Sequence, residues 1–281
     1  MVHEMLPENA TQAKRINKPE PPKSHLRPPL KWAGGKRWIV RHLEPLWRKS
    51  GSNRLIEPLC GGLAVALGLN PRSALLNDIN CHLINFYRWL KKGFVIQLEM
   101  ENNPDLYYAY RERFNQLITS GNSESAEAAS LFYYLNRTGY NGLCRFNKKG
   151  FFNVPYGRYK KINYRYDFAD YRDLFLNWEF RTLDFEKLTP TLNDFTYADP
   201  PYDVQFTSYT AQGFSWEDQI RFARWLAQLK GPVVVSNQAT ARIIELYGEL
   251  GFNLRLFKGP RMISRDGNRT PALEMFATLN I

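Results

Sequence analysis

The chain has 281 residues, long enough for one large domain or a main domain carrying an insert, and its 44% apolar content is ordinary for a globular protein. Its 38 Lys and Arg against 27 Asp and Glu give a net charge of +11, which favours a polyanionic partner; nucleic acid is preferred over a membrane surface because no apolar run approaches a spanning length. Cys60, Cys81 and Cys144 form no C-x-x-C pair and the four histidines no ligand-spaced cluster, which argues against a disulfide framework and a zinc or other metal site.

Residues 1–28 are polar and carry Pro7, Pro19, Pro21, Pro22 and Pro28, the composition of a flexible arm. No apolar leader precedes them, so a cytoplasmic protein is expected. Beyond the arm, "RLIE" at 54, "ALLND" at 74, "FTYAD" at 195, "PVVVSN" at 232 and "LEMFATL" at 273 predict strands. Between them "WIVRHLEPLWRK", "CHLINFYRWLKK", "SWEDQIRFARWLAQL" and "ATARIIELYGEL" carry apolar residues at helical spacing, the third opening on a capping-box-like S-x-x-D. Alternating strand and helix predict an α/β domain with a mainly parallel sheet, formed by residues 29–80 and 166–281. Residues 81–165 break the alternation with "LYYAYRERFNQLI" and "SAEAASLFYYLNR", followed by a different segment at 137–165; this stretch is expected to be an inserted helical subdomain ending in a hairpin-like loop.

That last segment holds Arg137, Arg145, Lys148, Lys149, Arg158, Lys160, Lys161 and Arg165 without an acid, interleaved with Tyr140, Phe146, Phe151, Phe152, Tyr156, Tyr159 and Tyr164. Cations neutralise phosphates and aromatics stack on bases, so nucleic-acid contact is favoured over a solvated loop with core anchors. In "RLIEPLCGGLAVALGL" a strand runs through a Gly-rich turn into a helix, as at nucleotide-type cofactors, although neither G-x-G-x-x-G nor a Walker A is present. Asp78 ends the next strand, where an acid can accept hydrogen bonds from ribose hydroxyls; a plain cap is the alternative reading.

The stretch "DPPY" follows a β-like run. The amino group of adenine is a poor nucleophile because its lone pair is delocalised into the ring. The Asp199 carboxylate and the Pro200 carbonyl could accept both N–H bonds and favour a pyramidal nitrogen facing an electrophilic methyl, while Tyr202 supplies a face for a base that has left its helix.

"LKWAGGK" (30–36), "IEPLCGGLAV" (56–65), "LNDIN" (76–80), "YLNRTGYNGLCRFNKKGFFNVPYGRYKK" (134–161) and "DPPY" (199–202), in this order, resemble the Dam-type (D12 class) DNA adenine-N6 methyltransferases. The similarity runs from residue 30 to about 279 and includes "RMISRDGNRTPALEMF". It implies a Rossmann-like fold, S-adenosylmethionine as cofactor, and a site-specific adenine methyltransferase of duplex DNA with an inserted recognition subdomain. Trp32, Lys36, Glu57, Pro58, Gly61, Gly62 and Asp78 are implied to line the cofactor site together with Asp199, and Asp184 and Phe185 of "TLDF" to hold the cofactor adenine. Asp199, Pro200 and Tyr202 take the catalytic roles. Tyr140 is implied to enter the duplex beside the flipped base, with Asn141 near the orphaned partner. Lys31, Leu143, Arg145 and Pro155 are implied to read bases, and Asn147, Asn153, Arg158, Tyr159 and Lys161 to touch phosphate. Arginine to guanine is also what groove chemistry predicts for Arg145.

The resemblance of these positions to those of GATC-reading members implies GATC as target, in a bacterial or phage-encoded enzyme acting as a monomer or as a dimer on DNA. The rival readings are a catalytically silent DNA-binding relative and a methyltransferase of another sequence or base, N4-cytosine or RNA adenine. Two departures stand out: Leu63 occupies a turn position where many members have glycine, and the proline-rich arm has no counterpart.

Overall fold

The computed structural model describes residues 26–202, 213–259 and 272–281; the arm up to residue 25 and most of the "RMISRDGNRTPALEMF" tail lie outside them. Seven strands form one sheet: β1 (Arg54–Glu57), β2 (Ala74–Asn77), β3 (Trp178–Arg181), β4 (Asp194–Ala198), β5 (Val233–Gln238), β6 (Asn253–Gly259) and β7 (Ala272–Leu279), in the order β3-β2-β1-β4-β5-β7-β6. The strands β1 to β5 run parallel, and β7 lies antiparallel between β5 and β6. Every residue of β4 is buried and only Gln238 of β5 is not, because both faces of a central parallel strand are covered.

The helices are α1 (Val40–Ser50), α2 (Ala64–Leu69), α3 (Cys81–Lys91), α4 (Pro104–Thr119), α5 (Ala126–Thr138), α6 (Ala169–Phe175), α7 (Trp216–Ala227) and α8 (Ala241–Glu249). Their starts follow from local chemistry. Asn103 caps α4 through the N–H groups of Asp105 and Leu106 with Pro104 in the first turn, and Ser215 and Asp218 form the reciprocal capping box of α7. Among the described residues no helix is long and apolar enough to cross a membrane.

The predicted hairpin at 137–165 is looser than a ladder. Its antiparallel contacts are the isolated bridges Gly139 to Tyr156 and Phe146 to Phe152. Side chains from α4 replace the missing ladder: Asn115 accepts from the Phe152 N–H at 2.8 Å and donates to its carbonyl at 3.1 Å, while the Tyr107 hydroxyl and Arg111 both donate to the Val154 carbonyl. The helices α4 and α5 pack together, and α5 packs on α3, so the loop rests on a rigid base.

Successive strands leave β1 in opposite directions, β2 on one side and β4 on the other. At such a reversal the chain exits to opposite faces and leaves a crevice at the carboxyl ends. Glu57 ends β1 there, and Asp199 directly follows β4.

Candidate active site

Pro200 and Pro201 follow β4 and end its pairing, which leaves the Asp199 carboxylate at the crevice. Its Oδ1 accepts from the Ser236 hydroxyl at 2.8 Å, and Lys36 Nζ lies 3.6 Å away. Ser236, fully buried on β5, also hydrogen-bonds the Tyr197 hydroxyl at 2.8 Å. Burial pushes the Asp199 carboxyl up to about 6, with Lys36 and Ser236 pulling it down and the carboxylate of Glu274 pushing it further up. The next proline carbonyl, of Pro201, takes the amide of Gln219 at 2.6 Å, and Asn237 in turn donates to Gln219 at 3.2 Å. The DPPY turn is thereby tied to α7 and β5.

Tyr202 has its ring under the Lys36 ammonium at 4.3 Å, and its hydroxyl meets both Lys36 Nζ and Glu274. Glu274, on β7 and 4% exposed, lies 3.4 Å from Lys36. Sequence reading missed Glu274 and Ser236: each sits inside a strand whose pattern reports core, and only the sheet order brings them to Asp199.

Around the Gly-rich turn, the space that a Cβ at Gly62 would take lies 2.7 Å from the Trp32 Cβ, and at Gly61 2.6 Å from the Trp32 indole nitrogen. The glycines therefore admit a tryptophan of the same chain, a packing role that the sequence reading did not give them. Leu63 keeps the left-handed backbone that glycine adopts easily, at φ 61°, while its side chain is fully buried. Asp78 accepts from the Gly61 N–H at 3.1 Å and from Asn80 N–H at 3.0 Å, and burial raises its carboxyl above the usual range despite them. Burial also drives the Glu57 carboxyl well above its ordinary value, and Glu57 Oε1 has no hydrogen-bond partner among the described residues. An unpartnered buried acceptor at a strand end is what an ammonium or hydroxyl donor would satisfy. Pro58 sits in the same turn, its carbonyl engaged by Asn77 at 2.9 Å.

Asp184 lies beyond β3. Arg221 of α7 grips it with both guanidinium arms at 2.9 and 3.0 Å, reaches Glu186 at 2.7 Å and Asp218 at 3.2 Å, and covers the Phe185 ring at 4.3 Å. This pairing holds the Asp184 carboxyl below its usual range. The Phe185 ring is buried against Phe222 and Trp225, so what Phe185 has left to offer a ligand is its backbone.

On the inserted loop the structure divides the aromatics. Phe146 stacks on His82, Phe152 is buried, Tyr164 stacks on Tyr134 and Tyr156 bonds Asn102, so these are the core anchors that sequence reading had set below nucleic-acid contact. Tyr140 differs: it stands 48% exposed on a 3₁₀ turn, Tyr140–Gly142, its N–H held by the Pro155 carbonyl at 2.8 Å. Asn141 beside it is exposed with φ 52°, and Leu143 is half-buried. Arg145, Pro155, Arg158 and Lys161 are exposed. Asn153 accepts from Arg145 at 2.8 Å, and the Asn147 side-chain Oδ1 takes the N–H groups of Lys149 and Phe151, so both asparagines already brace the loop. Lys31 joins this surface through Asn136, whose amide pairs with the Lys31 N–H and carbonyl, each at 2.8 Å. Its ammonium donates to the Arg137 carbonyl at 2.7 Å and lies 3.6 Å from the Tyr159 ring centre; burial, and then Arg137, push it down to about 8.

The family model of the D12 class N6 adenine-specific DNA methyltransferases matches residues 32–259. The Type II methyltransferase M1.LlaDCHI of Lactococcus lactis subsp. cremoris is 37% identical over 259 residues, covering 85% of this chain and 90% of its own. The DNA adenine methylase of Vibrio cholerae is 36% identical over 263 residues, again 85% and 90% of the two chains. Among solved structures, a putative RNA methyltransferase from Pyrococcus horikoshii aligns over 86% of this chain and 80% of its own at a TM-score of 0.42 and 8% identity, a likeness too low to add to the sequence matches. With the extent of those matches and the DPPY turn at the sheet's crevice, the chain belongs to the D12 class of N6 adenine-specific DNA methyltransferases.

Proposed function

We propose that this protein flips adenine out of duplex DNA within GATC and methylates its N6. The methyl donor is S-adenosylmethionine, which supplies an electrophilic methyl group on a sulfonium. One observation carries the mechanism: Asp199 Oδ1 is engaged by Ser236 and Lys36, which leaves Oδ2 for a substrate amino group. Oδ2 and the Pro200 carbonyl accept the two N6–H bonds and turn the nitrogen lone pair out of conjugation, toward where the bound donor would present its methyl group in exchange for its own C–S bond, and the surplus N6 proton leaves by way of Asp199. The Tyr202 face receives the flipped base. Glu57 Oε1 and Asp78 would hold the donor's ammonium and ribose hydroxyls, Trp32 and Lys36 would wall the site, and Asp184 with the Phe185 backbone would meet its adenine. Tyr140 fills the space the base vacates, Asn141 faces the orphaned partner, and Lys31, Leu143, Arg145 and Pro155 read the flanking bases.

The test is transfer of labelled methyl to three duplexes carrying GATC, GTAC, or GATC already methylated on both strands, followed by nucleoside analysis. Label in N6-methyladenine on the unmethylated GATC duplex alone is expected; label in cytosine, or equal label on GTAC, sinks the reading. A duplex with 2-aminopurine at the target adenine should brighten on binding, because unstacking relieves its quenching. Arg221→Met frees Asp184 from its clamp and should raise the KM for S-adenosylmethionine about tenfold with kcat at saturation little changed, since a positional loss at the donor's adenine is uniform binding. Steady-state kinetics at saturating DNA checks it.

A further inference from the structure

Glu274 is the charged residue of β7: Met275, Phe276 and Ala277 beside it are all buried, and it is itself 4% exposed. A carboxylate so placed costs free energy that an apolar side chain would not, unless something compensates. Its register partner is Gln238, at the carboxyl end of β5, the end of the sheet at which Asp199 follows β4. There it takes the Tyr202 hydroxyl and lies 3.4 Å from the Lys36 ammonium, which is 3.6 Å from Asp199. One buried cation thus bridges two carboxylates.

We propose that Glu274 is a positioning residue of the methyl transfer: it divides the Lys36 ammonium between itself and Asp199 and anchors the Tyr202 hydroxyl, so that the acceptor carboxylate stays basic and the stacking ring keeps one plane. Without Glu274, Lys36 would close on Asp199 alone and tie up the group that must take the N6–H bond. The proposal rests on the adenine-transfer reading above, and it adds a residue that neither stacks on the base nor touches its amino group.

The groups facing Asp199 are Lys36 ahead of α1, Glu57 of β1, Tyr197 of β4, Ser236 of β5, Tyr202 and Glu274 of β7. Lys36 is the cation among them; Glu57 is driven toward its neutral form by burial, so Glu274 is the negative charge whose removal acts on Asp199.

The experiment compares wild type with Glu274→Gln, an isosteric change, by the pH profile of kcat at saturating DNA and S-adenosylmethionine. Glu274→Gln should lower kcat about tenfold or more and move the acidic limb down by about half a pH unit to one, because Asp199 loses a repelling neighbour and gains the undivided Lys36. A merely structural role would lower the rate and leave the limb in place. An unmoved limb, or a kcat within twofold of wild type, overturns the proposal. If Glu274→Gln does not fold, Tyr202→Phe tests the same link: it keeps the ring and removes the anchored hydroxyl, so kcat should fall several-fold, and an unchanged kcat overturns the anchor. Where both variants fold, their combined loss should be smaller than the product of the separate losses, as expected for two ends of one contact; fully multiplicative losses refute it. Wild-type enzyme that fails to label adenine refutes the underlying reading, whereas labelling with an unmoved limb refutes only this one.

Discussion

Asp199→Asn is expected to lower kcat about 10³-fold while duplex binding, read by gel shift, stays within twofold. The amide keeps an oxygen for Ser236 and Lys36, which hold Oδ1 in the native site, so the turn has no reason to move. What changes is the other arm: an NH₂ replaces the oxygen aimed at N6, and a donor then faces a donor. In the native enzyme the same loss should be reached by acid. With the carboxyl at about 6, kcat should fall about tenfold per pH unit below that value, and Asp199→Asn should show no such limb. Stability has the opposite sign. Folding raises this carboxyl from 3.8, so its favourable contribution is complete below pH 3.8 and is lost as pH rises through about 6. Asp199→Asn lacks that loss, of up to about 3 kcal/mol. Its Tm relative to wild type should therefore climb between pH 4 and 6, and a relative Tm that falls over this window would refute the burial argument.

The sequence made the parallel centre of the sheet legible because β1, β2, β4 and β5 are short apolar runs between helical patterns. The two edges were not legible. In β3, "WEFR", a charged residue interrupts a four-residue strand, and β6, "NLRLFKG", mixes exposed Arg255 and Lys258 with leucines, because an edge strand has a neighbour on one side only. The residues of the site divide the same way. The sequence pointed to Asp199, Pro200 and Tyr202 as candidates because they break a strand, and to Tyr140 and Arg145 because they lie on a segment with no acid. Ser236 and Glu274 break no pattern, and Arg221 is one more cation on an amphipathic helix. Their places beside Asp199 and Asp184 follow from how the strands and α7 pack together, and a single chain's pattern does not carry that. Leu63 sharpens the point: it stands where many members have glycine, yet its backbone keeps the left-handed φ of 61° because the buried side chain more than offsets a strain of about 1–2 kcal/mol.

Gly62→Val should destabilise the fold by about 2–3 kcal/mol and weaken S-adenosylmethionine binding at least a hundredfold, by thermal melting and calorimetry respectively. The first atom a Cβ at Gly62 would meet is the Trp32 Cβ at 2.7 Å, with Cγ at 3.1 Å. That is the root of the side chain, so rotating the indole gives no relief and the Trp32 backbone must move. The neighbouring Lys31 backbone is held by Asn136 through two hydrogen bonds, each at 2.8 Å, which resists the movement. The clash and the cofactor wall can be separated by a second change. Trp32→Ala in the Gly62→Val background removes the collision and should recover most of the lost Tm. If Trp32 is itself a wall of the donor site, affinity for S-adenosylmethionine should stay low in that double variant even as the fold returns. Recovery of both together would mean that Trp32 only fills the space beneath the turn, and that the donor is held without it.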